Sequence, residues 1–163
     1  MRNKDIRRFD NHALATASNT AKKHKLPLIV LHIFSPQDYK AHHRSARRID
    51  FQIRAMKELK KKLADDNVPL YTVTWERRKE IPAKLLDLLT EWKAQFLFAN
   101  LEHEIDELRR DAEVVRRVIE AREGSSGWVG EVDFLQDFCI VSPDKVRTKV
   151  IMNDTLTETL LTS

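Results

Sequence analysis

The chain has 163 residues, 42% of them hydrophobic and 33% charged, a balance that supports one folded domain and excludes wholesale disorder. Lys and Arg (29) slightly outnumber Asp and Glu (25), and the two signs are interleaved, so the surface tolerates polyanions without being dedicated to them. The longest apolar run, Leu26 to Phe34, falls well short of the ~20 residues of a membrane span, and the single cysteine, Cys139, excludes an internal disulfide and a cysteine-built zinc site.

In chain order, Arg2, Lys4, Arg7 and Arg8 lead into polar residues, so no secretory signal is expected, and Asp5 and Asp10 speak against a mitochondrial presequence. Asn11 to His24 reads as a helix capped by Asn11 or Asp10. Pro27 to Phe34 is near-continuously apolar and β-branched, which predicts a buried strand. Ile49, Ile53, Met56, Leu59 and Leu63 recur at helical spacing and predict one inward face of a helix from Ser45 to Asp65. A second strand is expected over Pro69 to Trp75. A second amphipathic helix is marked by Ile81, Leu85, Leu88, Leu89 and Trp92. Phe96 to Ala99 predicts a third strand, and Ile105, Leu108, Ala112, Val115 and Ile119 share one face of a third long helix. Gly124-Ser125-Ser126-Gly127 is a turn, with short strands expected near Trp128 to Phe134 and Phe138 to Val141.

Short apolar strands alternating with helical segments are the signature of βαβ units, so the expected fold is α/β, a doubly wound parallel sheet. One feature departs from the alternation. The chain opens on a helix with no strand before it.

Few residues carry chemistry on pattern alone. Only three glycines exist, and neither a dinucleotide fingerprint nor a Walker loop is present, which disfavours a standard phosphate cradle. His42-His43 and His103-Glu104 lack a third ligand at usable spacing and read as solvated loop residues rather than a metal site. Cys139 lies in an apolar run without a base partner and reads as a structural thiol. The clusters Lys22-Lys23-His24-Lys25, Lys60-Lys61-Lys62 and Arg77-Arg78-Lys79 read as solvated faces before they read as phosphate contacts. Asn100-Leu101-Glu102-His103-Glu104 is more informative. It follows the third strand, and parallel sheets bind ligands outside their carboxyl ends. An Asn and two carboxylates there suit a heterocycle bearing N–H groups. Equally, Asn100 turns the chain and Glu104 caps the next helix.

Together these blocks resemble the N-terminal antenna domain of the DNA photolyase and cryptochrome family. Met1 to Leu14 resembles the family's opening R-x-D-L-R-x-x-D-N-x-A-L, and Phe98 to Glu104 with Arg109-Arg110-Asp111 resembles its F-A-N-x-x-Y-E…R-R-D block. Ser45 to Phe51, Pro69 to Val73, and Ser142-Pro143 before Val146-Arg147-Thr148-Lys149 are similar to further family blocks. The overall texture is most similar to fungal cyclobutane pyrimidine dimer photolyases.

The resemblance implies a Rossmann-like antenna domain over residues 1–149, followed by a divergent tail over 150–163. It implies a light-harvesting chromophore, methenyltetrahydrofolate or a deazaflavin, held by Asn100, Leu101, Glu102 and Glu104, with His103 where the family has Tyr. FAD, pyrimidine-dimer repair and DNA contact belong to a separate helical domain that these residues do not include, so this piece is not expected to catalyse alone. A cryptochrome photoreceptor and a nonfunctional truncated product are the alternatives, with a universal-stress-like α/β module as a third class. The resemblance further implies an intracellular protein of nucleus or mitochondrion, without membrane contact. In the family an apolar strand precedes the opening block and is the sheet's central strand. The chain as written is therefore expected to lack that strand and to self-associate through an incomplete sheet.

Overall fold

The computed structural model of the protein describes residues 5–124 and 127–137. The expectations for a strand at Phe138 to Val141, for Cys139 and for the tail lie outside the described residues, as do Ser125 and Ser126 of the turn. Helix α1 (His12–His24) is capped by Asn11, whose side-chain oxygen accepts from Leu14 N at 2.9 Å. It ends at Lys25, held left-handed at φ 55°, after a last turn carrying Lys22, Lys23 and His24 against the negative end of the helix dipole. Strand β1 (Val30–Phe34) follows, shorter than the predicted run because Pro27 opens that run outside the ladder.

Helix α2 (Pro36–Ala41) was not predicted. Its signal, Ser35-Pro36 with Asp38 in the first turn, is a helix start too short to show periodicity. Helix α3 (Ala46–Asp65) begins where Ser45 caps Arg48 N and buries Gln52, Met56, Leu59 and Leu63. Ile53, expected inside, is 40% exposed, and Gln52 takes the inner position opposite the fully buried ring of His32, 3.4 Å from its Nε2. Strand β2 (Leu70–Thr74) pairs parallel with β1 in the register Val30 to Leu70 through Phe34 to Thr74.

After a 3₁₀ turn at Arg78–Glu80, helix α4 (Ile81–Glu91) buries Ile81, Pro82, Leu86 and Leu89. Strand β3 (Phe96–Asn100), helix α5 (Ile105–Glu123) and strand β4 (Glu131–Leu135) complete the fold, with β3 and β4 parallel from Phe96–Glu131 to Asn100–Leu135. The predicted inward stripe of α5 is displaced by about one residue. Val114, Val118, Glu107 and Asp111 are buried, whereas Ile105 is 62% and Ile119 is 48% exposed. Buried ion pairing at the amino end of α5, described below, sets this rotation and overrides the apolar periodicity.

The fold is thus α/β with parallel strands, as expected, but among the described residues the strands form two separate pairs, β1–β2 and β3–β4. The core is divided likewise. Val30, Met56, Leu59, Leu63 and Leu70 form one cluster on the first pair, and Leu86, Leu89, Val114, Val118 and Trp128 form another on the second. Between them runs an apolar cavity of about 310 Å³, lined by Leu31 and Ile33 of β1, Leu97 and Ala99 of β3, Ala17 of α1 and Leu85 of α4. No described helix is long and apolar enough to cross a membrane.

Trp128 closes the second core. Its indole N–H donates to Ala94 O at 2.6 Å, and Gly130 passes beneath the ring so that Glu131 N reaches Gln95 O at 2.9 Å. A Cβ on Gly130 would lie 2.6 Å from that same carbonyl oxygen and within the Trp128 ring's contact shell. Gly130→Ala is therefore expected to cost about 2 kcal/mol. Urea unfolding followed by Trp fluorescence checks it, and an unchanged midpoint would show that β4 shifts freely away from Trp128.

Candidate ligand site at the carboxyl ends of the strands

The carboxyl ends of β1 and β3 lie together, because Asp38, just past β1, meets Arg110 of the helix that follows β3 at 3.0 Å. Two polar clusters stand at this end, and each has a different character.

The first is a hydrogen-bond hub on Asn100, the last residue of β3, which is 3% exposed. Its side-chain oxygen accepts from Ala13 N at 2.8 Å. Its amide nitrogen lies 2.5 Å from Asp5 Oδ2, 2.9 Å from Asp137 Oδ2 and 3.1 Å from Asn11 Oδ1, so three acceptors share two hydrogens. Arg7 balances the two carboxylates, with its Nε 2.9 Å from Asp5 and its Nη2 2.6 Å from Asp137. The hydrogen bond to Asp5, followed by the attraction of both carboxylates, holds the Arg7 guanidinium more firmly protonated than usual. Asn100 therefore fastens β3, α1 and the segment at Asp5 to one another. Its polar atoms are committed to protein partners.

The second cluster is ionic. Asp38 is 1% exposed and pairs with Arg78 Nε at 3.2 Å and Arg110 Nη2 at 3.0 Å. Glu107, 2% exposed, has Oε2 2.6 Å from Arg110, and Arg78 also reaches Asp106 at 2.8 Å. That hydrogen bond holds the Asp106 carboxyl below its ordinary range and raises Arg78. Although the charges are close, Asp38 Oδ1 and Glu107 Oε2 are not met at hydrogen-bonding angles, and Ser35 Oγ beside them has no hydrogen-bond partner among the described residues. Buried acceptors of this kind cost free energy until a donor arrives. Tyr39, also buried, has its phenol pushed up by burial, with Arg44 stacked 5.6 Å from the ring centroid.

Of the residues singled out in the sequence, Asn100 and Glu102 are buried, Leu101 is half-buried, and His103 and Glu104 are exposed. Leu101 N is bonded to Leu135 O at 2.7 Å, which pins the start of this segment to β4. Glu104 is the N-cap residue of α5 but makes no capping hydrogen bond with its side chain. Asn100, Glu102, Ser35, Asp38, Arg110 and Asp111 line one continuous cavity, whereas Leu101 and Glu104 do not line it. Asp38, Arg78, Arg110 and Glu107 escaped sequence reasoning. Arg78 looked like part of a basic surface run, and its carboxylate partners, buried Asp38 and half-buried Asp106, sit in elements distant in sequence. Among the described residues no group of three His, Cys, Asp or Glu side chains is placed to hold a metal ion.

The family model for DNA photolyase matches residues 1–155. The chain is 40% identical over 144 residues to the deoxyribodipyrimidine photo-lyase of Neurospora crassa, covering 88% of this chain and 23% of that protein. It is 29% identical to the enzyme of the same name from Vibrio cholerae, covering 90% of this chain and 29% of that protein. It is 24% identical to the mitochondrial deoxyribodipyrimidine photo-lyase of Saccharomyces cerevisiae, covering 88% and 27%. The chain thus spans 23% to 29% of the length of these relatives.

Proposed function

Since the chain belongs to the DNA photolyase family, we propose that it is the antenna domain of a light-dependent DNA repair enzyme, holding a chromophore at the mouth between β1 and β3. The observation that carries this is the pair of buried acceptors there, Ser35 Oγ and Asp38 Oδ1, on the same cavity wall as the carboxylate of Glu102. Acceptors in excess suit a flat heterocycle that presents N–H donors, as the pterin of methenyltetrahydrofolate and the ring of a deazaflavin both do. When bound, such a chromophore absorbs light and passes the excitation to FAD in the helical part of the enzyme, where a pyrimidine dimer in DNA is split.

What these residues contribute is placement. Glu102 and Asp38 accept from the ring's donors. The apolar lining behind them excludes water from its face. Arg110, clamped between Asp38 and Glu107, fixes the position of Asp38 at the mouth. Asn100 positions this wall without touching the ligand. Repair, FAD and DNA contact belong to this reading only through the rest of a photolyase. An intracellular location in nucleus or mitochondrion goes with it, and one yeast relative is named as mitochondrial.

Fluorescence titration with methenyltetrahydrofolate tests the proposal, with a deazaflavin titrated in parallel. One of the two should bind in the micromolar range, because a mouth closed by one domain alone leaves part of the ring in water. Glu102→Gln should weaken it about tenfold, as loss of one charge-assisted hydrogen bond does, with the melting temperature unchanged. Binding of neither chromophore, or equal binding by the Gln variant, would overturn it.

A further inference from the structure

The two signs of charge are interleaved along the chain, but their balance is uneven in space. Helix α3 carries seven Lys and Arg against three Asp and Glu, an excess of four that equals the formal net charge of the whole chain, so all other residues together balance to zero. All seven cations are exposed. Two of them are answered on the helix itself, Arg54 by Asp50 at 2.9 Å and Lys61 by Glu58 at 2.8 Å, and both pairs stand in water, where such contacts hold weakly. Arg47, Arg48, Lys57, Lys60 and Lys62 have no carboxylate within ion-pairing distance among the described residues.

Helix stability does not account for this arrangement. Arg47 and Arg48 stand in the first turn, which holds no acidic residue, so they face the positive end of the helix dipole. Lys57 has Arg54 three residues before it and Lys60 and Lys61 three and four residues after it, so like charges are neighbours on the surface. That repulsion costs free energy until an anion enters. The cations are also aligned. Gln52, Met56, Leu59 and Leu63 turn one face of α3 inward, and Arg47, Arg54 and Lys61, spaced seven residues apart, form a row on the opposite face with about 10 Å between successive members. Phe51, one turn from both Arg47 and Arg54, is 71% exposed beside that row.

A row of cations about 20 Å long fits a linear polyanion rather than a single carboxylate or phosphate. A helix that lies in a membrane surface needs a free apolar face, and that of α3 is already committed to the core through Met56, Leu59 and Leu63. We propose that the outer face of α3 is a docking surface for the phosphodiester backbone of duplex DNA, which Arg47, Arg54 and Lys61 contact without regard to base sequence or damage, with Lys57 and Phe51 beside them. Phe51 packs on the sugar edge between the phosphates held by Arg47 and Arg54. The surface supplies salt-dependent affinity and no specificity. It involves neither the cavity nor any residue assigned to the chromophore.

Fluorescence anisotropy of a labelled, undamaged duplex of about 20 base pairs, titrated with the full chain in the absence of chromophore, is the readout. The dissociation constant should lie in about the 10 µM range at low salt, and the logarithm of affinity should fall against that of salt with a slope near about −3, as neutralising about three phosphates requires. Arg47→Gln, Arg54→Gln and Lys61→Gln together should weaken binding about tenfold or more and flatten that slope, with the melting temperature unchanged because glutamine suits an exposed helix. Arg47→Lys with Arg54→Lys keeps the charge and should bind as the unaltered chain does. Phe51→Ala should weaken binding about threefold at an unchanged slope, since an apolar contact releases no counterion. A control that removes the same charge elsewhere, Lys22→Gln with Lys23→Gln and Lys79→Gln, should stay within about twofold of the unaltered chain. Equal loss in the two triple variants would show that net charge alone draws the DNA and would overturn the surface, as would full binding by the α3 variant. Vesicles with about one-third anionic lipid are titrated in parallel, and tighter binding to them than to the duplex would overturn the choice of occupant. No chromophore is present, so failure here and failure of the antenna function are separately visible.

Discussion

Asn100→Ala is expected to destabilise the protein by about 3 to 5 kcal/mol, among the largest losses available to a single polar side chain here. Four contacts end at this amide, and each partner is inaccessible to solvent or nearly so. Truncation leaves Ala13 N without its acceptor in the first turn of α1, and brings Asp5 and Asp137 together with only Arg7 between them. Water entering the gap recovers part of this, which keeps the figure below a simple sum. Asn100→Asp tests the cause. It keeps the volume and the acceptor for Ala13 but sets a third carboxylate beside Asp5 and Asp137. Repulsion raises the folded-state pKa of that new carboxyl above its unfolded value, so its penalty is present at neutral pH and fades as pH falls through the raised pKa. Urea unfolding at pH 7 and pH 5 measures both variants. An Asp variant whose deficit is the same at both pH values would show that geometry, and not charge, governs the hub.

The alternation of strands and helices was legible because each helix carries its own periodic apolar face and each strand its own apolar run. One cap was legible too, since Asn11, one of the two residues named for the start of α1, accepts from Leu14 N. Where local pattern failed, a long-range partner had intervened. Ile53 gave way to Gln52 because His32, buried in β1, offers a polar neighbour that no spacing within α3 could announce. The stripe of α5 rotated because Glu107 and Asp111 are drawn inward at the end where Arg110 and Asp38 meet. Helix α2 is too short for any period, and so Asp38, its most consequential residue, was missed along with it. The segment from Asn100 to Glu104 was read as following the third strand, and Asn100 is in fact the last residue of β3. Sequence alone could not tell that Asn100 spends its amide on Asp5 and Asn11, some ninety residues away, while Glu102 alone of the two acidic residues there is buried.

Arg110→Met should cost about 3 to 5 kcal/mol, because it leaves the buried carboxylates of Asp38 and Glu107 with one cation fewer. Arg78 still reaches Asp38 from the 3₁₀ turn but is also bound to Asp106, so it cannot replace Arg110 at Glu107. Methionine keeps the stem's packing and isolates the charge as the cause. Lysine should restore only part of the loss, since a single ammonium cannot span two carboxylates as a guanidinium does. Removing the pair outright gives the converse result. Arg110→Met combined with Glu107→Leu should be more stable than Arg110→Met alone, because the orphaned charge leaves with its partner. Equilibrium unfolding of the two single variants and the double closes the cycle. A double variant no better than Arg110→Met would place the lost energy in the Arg110 contact with Asp38 alone, and the inward rotation of α5 would then need a cause other than Glu107.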